Sequence, residues 1–147
     1  MREPTPHRRS LLSVAALLCM PSFPVTASPT VAKPTHPQRA WFLEAERMRK
    51  MAESWGDQSY GAVLVASNRV IGYGPSRVVK DNDADAHAER VAIREALQSE
   101  SRSLVAGAVL YSTSRPCRLC EHAAAQAGVI RMYFGAELQD AGRPIAR

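Results

Sequence analysis

Two cysteines in the last third of the chain have a spacing that suits metal binding. Cys117 and Cys120 are three residues apart and directly follow Pro116. Residues three apart share one face of a helix, so both sulfur atoms can reach a single ion. The start of a helix also favours the thiolate, which is the form that binds metal, and a proline suits the position just before the first turn. The pair therefore predicts a metal site where a helix begins.

A histidine and a glutamate near the start of an earlier predicted helix complete the set. His87 offers an imidazole, and Glu89 lies two residues further on. Two cysteines and one histidine leave the fourth position of a tetrahedral zinc site open, which is typical of a catalytic centre. Because two thiolates already balance the charge of Zn²⁺, Glu89 is not needed as a ligand and can carry protons instead. We therefore expect one zinc ion per chain, with Glu89 as the catalytic residue.

The cysteine pair has other interpretations. A C-x-x-C pair in an exported protein can form a redox disulfide, although the His87-Ala88-Glu89 run at a second helix start would then be a coincidence. A closed structural zinc site needs a fourth protein ligand, for which His122 is the nearest candidate. These alternatives stay open at the level of the sequence.

The sequence from residue 40 onward predicts the elements that position these residues. In chain order they are a helix over 41–55, a hairpin over 60–73, a helix over 86–98, a strand over 108–112, a helix over 118–127 that ends at Gly128, and a strand over 129–134. Strands that alternate with helices in the second half imply parallel pairing and a layered α/β sandwich. Trp41 and Trp55, at helical spacing, are expected to lie in the core.

The motifs resemble those of a known family. His87-Ala88-Glu89 and Pro116-Cys117-Arg118-Leu119-Cys120 match the H-x-E and P-C-x-x-C signature of the cytidine deaminase superfamily. The segments around both motifs are most similar to guanine deaminases and tRNA adenosine deaminases, over roughly residues 40–142. The resemblance implies a three-layer α/β/α sandwich with a central mixed sheet. It also implies zinc bound by His87, Cys117 and Cys120, Glu89 as proton shuttle, and backbone amides near Ala88 and Cys117 that hold the substrate ring.

The same resemblance implies the reaction. We expect a zinc-dependent hydrolytic deaminase that converts an amino-bearing nucleobase or nucleoside ring to the carbonyl and releases ammonia. A free purine or pyrimidine base is the leading substrate class. One alternative is a tRNA-specific adenosine deaminase that forms inosine. A second is a non-catalytic zinc-binding module of the same fold, against which the intact Glu89 argues.

Three features differ from the related deaminases. They usually carry an asparagine that helps to hold the base in the loop after the second strand, where this chain has Ser76. The residue before P-C-x-x-C is commonly glutamate, whereas here it is Arg115, which either favours an anionic substrate or lies in solvent. The sequence also ends soon after Phe134, where relatives carry a further strand or helix. From this we expect a second subunit to help close the site in a homodimer.

The first 27 residues resemble an export signal. Arg8-Arg9 precede an apolar run over 11–20 that is too short to span a bilayer, and small residues end the segment at Ala27. The run over 7–12 resembles a twin-arginine signal, whose pathway accepts folded cargo. An ordinary secretory signal is the alternative. The prediction is therefore a periplasmic protein with no transmembrane span in the mature chain, or a cytoplasmic one if the leader is not a signal.

Composition divides the rest of the chain and limits its partners. Residues 28–39 are rich in Pro and Thr and predict a linker, so residues 40–147 form the predicted deaminase domain. The formal net charge of the whole chain is +5. Residues 28–147 carry 16 basic and 13 acidic side chains, and this excess is too small to argue for nucleic acid. A small-molecule base or nucleoside is the expected partner, and an exported protein would not encounter tRNA.

Overall fold

The computed structural model describes residues 37–146. Its elements in chain order are α1 (Arg39–Ser54), β1 (Gly61–Ala66), β2 (Arg69–Pro75), α2 (Ala88–Ser99), α3 (Arg102–Val105), β3 (Val109–Ser112), α4 (Arg118–Ala127), β4 (Arg131–Phe134) and β5 (Gln139–Gly142). The predicted export signal over 1–27 and most of the predicted linker over 28–39 lie outside the described residues. The first helix begins at Arg39, one residue before the predicted start of the domain.

The five strands form one mixed sheet. Their order is β2-β1-β3-β4-β5. The β3–β4 pair is parallel, and the other three pairs are antiparallel. The turn between β1 and β2 uses Ser67 and Asn68, both with positive φ, as expected for a tight hairpin. Helix α4 connects the two parallel strands, so the predicted α/β connection in the second half of the chain is confirmed.

Helices cover both faces of the sheet. Alternate residues of β1 point to opposite faces: Val63 and Val65 pack with Met48 of α1, whereas Ala62 and Leu64 pack with α2 and α4. The predicted three-layer α/β/α sandwich is therefore confirmed. Within residues 37–146, no helix has the length and apolar character needed to cross a membrane.

Helix α2 lies directly against strand β2 because two glycines leave room for it. A Cβ atom on Gly74 would lie 1.9 Å from the carbonyl oxygen of Ala88, and one on Gly72 would lie 2.1 Å from that of Ala92. The residues of α2 that face the strand are small and buried. This close contact fixes the start of α2 relative to the sheet, and with it the positions of His87 and Glu89.

Some expectations from the sequence were wrong or incomplete. Trp55 was predicted in the core, but it caps the end of α1 and is 36% exposed. Its ring is instead covered by Lys80, whose Nζ lies 3.4 Å from the ring centre. Trp41 is partly buried against the cluster on the α1 face. The short elements α3 and β5 were not predicted.

Candidate metal centre and active site

The three predicted ligands come from the starts of two helices. His87 is the N-cap residue of α2, and Cys117 is the N-cap residue of α4; both have extended backbone dihedral angles. Cys120 lies in the first turn of α4 and is buried, whereas Cys117 is exposed. Helix α2 packs against α4 on the same face of the sheet. Two sequence motifs that are far apart in the chain therefore meet at one point.

The donor atoms have the spacing that zinc requires. Nδ1 of His87 lies 3.6 Å from Sγ of Cys117 and 3.5 Å from Sγ of Cys120, and the two sulfur atoms are 3.4 Å apart. Zn–S bonds of about 2.3 Å and Zn–N bonds of about 2.0–2.1 Å in a tetrahedron separate such donor atoms by about 3.6–3.8 Å. These residues therefore fit one zinc ion, and the predicted zinc cofactor is confirmed.

The geometry favours a site with an open position. Among residues 37–146, the histidine, cysteine and acidic ligand atoms that cluster within 4.8 Å of one another belong to His87, Cys117 and Cys120. His122, the candidate for a fourth ligand in a closed structural site, is not part of this cluster. Both cysteines are free rather than joined in a disulfide. Three protein ligands leave one tetrahedral position for water or substrate.

The charge state of the buried cysteine also depends on a cation. Burial raises the pKa of the Cys120 thiol well above its usual range, and the nearby Glu89 carboxylate raises it further. A thiolate at this position therefore needs a positive charge beside it, which a bound metal ion supplies. Sγ of Cys117 accepts the backbone N–H of Cys120 at 3.5 Å.

Glu89 is held beside the ligands by two side chains. The residue is only 5% exposed. Its Oε1 accepts a hydrogen bond from the Ser112 hydroxyl at 3.0 Å, and its Oε2 lies 3.4 Å from Sγ of Cys120. Ser112 ends strand β3 and is also buried. Ser112 was not predicted as a site residue, because a serine at the end of a strand carries no signal of such a contact.

A cavity of about 250 Å³ opens in front of this cluster. Pockets for drug-sized ligands measure about 300–1,000 Å³, so this one suits a single small ring system. The residues that line it are Gln58, Tyr60, His87, Ala88, Glu89, Ser114, Arg115 and Cys117. Ala88, predicted to contact substrate through its amide, is among them. Gln58, Tyr60 and Ser114 come from loops and were not singled out in the sequence.

Comparison with known proteins gives the family. Residues 36–136 match the family described as the cytidine and deoxycytidylate deaminase zinc-binding region. This chain belongs to that family. The match covers both zinc motifs and nearly all of the sheet, so the resemblance inferred from the sequence is confirmed.

The chain is similar to two kinds of deaminase. The tRNA-specific adenosine deaminases of Buchnera aphidicola and Agrobacterium fabrum are 35% and 36% identical over 100 and 101 residues, which is 68% of this chain and 66% of each relative. A solved tRNA:A34 deaminase has a TM-score of 0.60 at 34% identity, over 65% of this chain and 73% of that one. Guanine deaminase from Bacillus subtilis has a TM-score of 0.61 at 25% identity, over 68% and 64%.

In this deaminase-family chain, Ser76 lies in the loop directly after β2, as predicted. It is fully buried and does not line the cavity. Its hydroxyl donates a hydrogen bond to Oδ1 of Asp57 at 2.9 Å. The predicted contact between the Ser76 side chain and a base therefore finds no support in this geometry, because the hydroxyl is committed to a buried carboxylate.

Asp57 organises the loops beside the cavity. Besides Ser76, it accepts the backbone N–H groups of Gln58 at 2.7 Å, Val79 at 2.9 Å and Lys80 at 2.8 Å. Burial by itself raises the pKa of Asp57, but these hydrogen bonds together lower it below its usual value. Since Gln58 lines the cavity, Asp57 is a positioning residue. The sequence showed only the end of a helix at this point.

We expect Asp57→Asn to destabilise the fold. In either orientation the amide would direct its N–H₂ group at a backbone N–H donor, that of Gln58 or those of Val79 and Lys80, and leave it unpaired. The free energy of unfolding at pH 7 should therefore fall by about 1–3 kcal/mol. The exposed Asp81, which pairs with Arg77, provides the control: Asp81→Asn should destabilise the fold much less, because exposed ion pairs contribute little to stability. Urea denaturation of both variants measures the difference.

The effect of pH gives a second check on Asp57. Because the pKa of this carboxyl is lower in the folded chain than in the unfolded chain, its stabilisation is present above the unfolded value of about 3.9. It is lost as the pH falls through the folded value. The gap in unfolding free energy between wild type and Asp57→Asn should therefore shrink in acid. A gap that is absent at pH 7 would contradict the role assigned to Asp57.

Proposed function

We propose that this chain is a zinc-dependent hydrolytic deaminase that converts an amino-bearing nucleobase or nucleoside ring to the carbonyl and releases ammonia. The observation that carries the proposal is the position of Glu89. Its carboxylate is nearly buried, is oriented by Ser112, and lies at the edge of a cavity that is also lined by two of the three zinc-ligand residues, His87 and Cys117. A purely structural zinc site has no use for a carboxylate held in this way.

The residues divide the chemistry between them. Zinc bound at such a site would lower the pKa of a bound water molecule to about 7 and so supply a nucleophile at neutral pH. Glu89 accepts a proton from water and delivers it to the departing amino group, as a general base and then a general acid. A C–O bond forms at the ring carbon, the C–N bond breaks, and the nitrogen leaves as ammonia. The exposed ring of Tyr60 and the amide of Ala88 border the cavity and are placed to hold a flat heterocycle.

Two substrate classes follow from different observations. The size of the cavity favours a free base or a nucleoside, because about 250 Å³ accommodates one ring system. Similarity to known proteins favours adenosine in tRNA, since two of the similar proteins are tRNA-specific adenosine deaminases. The chain matches only 66% of the length of those relatives. Because the cavity is an observation on this chain itself, we give the small substrate first place.

A substrate panel tests the function. Zinc-loaded protein is incubated with adenine, guanine, cytosine and their nucleosides, and with unmodified tRNA, and ammonia release is measured. Turnover of a free base or nucleoside supports the leading proposal. Turnover of tRNA alone supports the alternative. A lack of ammonia from every substrate, with zinc bound, would contradict both and leave the non-catalytic zinc-binding module.

We also propose that residues 1–27 direct export to the periplasm and that residues 28–39 link the signal to the deaminase domain. The paired Arg8-Arg9 before an apolar run support a twin-arginine signal. Replacing both arginines by lysine should then hold the precursor in the cytoplasm, which fractionation measures. Unchanged export would indicate a general secretory signal, and full-length wild-type chain in the cytoplasm would contradict export and strengthen the tRNA alternative.

The homodimer is likewise a proposal. Leu119, between the two cysteine ligands, is 59% exposed, and so is an apolar residue of the loop after β2, Val79, at 60%. We infer that these side chains contribute to the contact between the subunits. Light scattering should give twice the mass of one chain; the mass of a single chain at micromolar concentration would contradict the proposal.

A further inference from the structure

The catalytic cavity has a cation at its edge. Arg115 lines the cavity and is exposed, and it directly precedes the Pro116-Cys117 step that starts the metal-binding segment. It takes part in none of the ion pairs found between residues 37 and 146. Several other arginines of the same region are paired with carboxylates. The guanidinium of Arg115 is therefore available to a ligand in the cavity.

An aromatic ring holds this guanidinium. The Cζ atom of Arg115 lies 5.9 Å from the ring centre of Phe134, at the end of β4. A cation–π contact of this kind restricts the side chain and leaves its N–H groups free to donate. Arginine presents these donors as a planar fork that matches a carboxylate or a phosphate. The arrangement is suited to anion binding beside the ring site.

The charges inside the cavity do not neutralise Arg115 by contact. Two thiolates balance one zinc ion, which leaves Glu89 as the remaining negative group. Oε1 of Glu89 accepts a hydrogen bond from Ser112, and within residues 37–146 no hydrogen bond joins Glu89 to Arg115. The side chains of Gln58, Tyr60 and Ser114, which also line the cavity, are neutral. A substrate with its own negative group would supply the missing partner.

We propose that Arg115 selects substrates whose amino-bearing ring carries an anionic substituent, either the phosphate of a nucleotide or a carboxylate on the ring. This inference rests on the proposed deaminase function and narrows its substrate class. Arg115 acts on binding: it should lower KM for the charged substrate and leave the proton transfers of Glu89 unchanged.

Matched pairs of compounds test the inference and separate the two sources of charge. Cytidine, adenosine and guanosine are compared with their 5′-monophosphates, and cytosine with 5-carboxycytosine. For each pair, binding to the zinc-loaded protein is measured by calorimetry, and kcat and KM are measured by ammonia release. The variants are Arg115→Gln and, as a matched control, Arg118→Gln, which removes an exposed arginine three residues away that does not line the cavity.

Wild type should bind the charged member of at least one pair about tenfold more tightly and show the same factor in KM, which corresponds to about 1.4 kcal/mol. Arg115→Gln should abolish this preference with kcat unchanged, and Arg118→Gln should retain it. Equal binding of both members in every pair, or an equal loss for both in Arg115→Gln, would overturn the inference. Deamination of neutral compounds alone would leave the proposed function intact, while binding without any ammonia release would contradict the function and not the anion site.

Discussion

Replacing Glu89 with glutamine should remove deaminase activity while the metal stays bound. Glutamine keeps the size of the side chain and can still accept a hydrogen bond from Ser112, but it cannot take up and return a proton. Loss of a general acid–base typically costs about 10²–10⁴-fold in rate. We expect at least this loss in kcat, because one carboxylate serves several proton transfers. Ammonia release and zinc content, measured on the same preparation, check the prediction.

The control for this variant is Glu121→Gln. Glu121 is the acidic residue in the first turn of α4, close in sequence to Cys120, but it does not line the cavity. Its replacement should leave kcat within a few-fold of wild type. If Glu89→Gln lost its zinc, Glu89 would be a ligand. If it kept both zinc and full activity, the proton shuttle would be a different group.

Removal of the buried cysteine should have the largest effect on stability. Cys120→Ser takes away a ligand that lies 3.5 Å from the His87 imidazole and 3.4 Å from the Cys117 sulfur. Metal binding is coupled to folding, with apparent binding free energies of about 10–16 kcal/mol at structural zinc sites. We expect zinc to be lost on dialysis and the melting temperature to fall by more than about 10 °C. Metal analysis and thermal unfolding measure both.

Comparison with metal-free wild type separates the two causes of such a loss. If zinc provides the stabilisation, wild type stripped with a chelator should melt close to Cys120→Ser, and adding zinc should restore only wild type. The third cysteine of the chain, Cys19, lies outside the described residues, and Cys19→Ser should behave as wild type. A Cys120→Ser variant that retained stoichiometric zinc and its melting temperature would exclude Cys120 as a ligand.

The metal centre could be predicted because its signals are local. His87 and Cys117 are the N-cap residues of their helices, and Glu89 and Cys120 lie within the first turns. Two short motifs therefore determine which side chains lie at the starts of the two helices. Helical and strand periodicity likewise gave the order of the longer elements and the parallel β3–β4 pair. These features depend on residues a few positions apart, which a single sequence displays directly.

The rest of the site depends on contacts between distant segments. Ser112 meets Glu89 only because β3 and α2 pack together, and Asp57 binds Ser76 only because the end of α1 meets the loop after β2. No spacing rule in the sequence links these residues. The same holds for Ser76: the sequence indicates its place in the loop after β2, but it does not show that its hydroxyl binds Asp57.

The missed elements have physical reasons of their own. Strand β5 contains Gln139 and Asp140 and lacks the alternating apolar pattern that predicts a strand. It pairs at the edge of the sheet, where Asp140 forms an ion pair with Arg131 of β4. Trp55 lies just beyond the last turn of α1, so the helical spacing that placed it in the core no longer applied.

The central claim is that His87, Cys117 and Cys120 hold one zinc ion and leave its fourth position open. X-ray absorption at the zinc edge of the wild-type protein tests it most directly. We expect two sulfur neighbours at about 2.3 Å, one imidazole nitrogen at about 2.0–2.1 Å, and one further oxygen neighbour that exchanges with added ligand. Four protein ligands around zinc, or a metal-free protein with Cys117 and Cys120 joined in a disulfide, would contradict it.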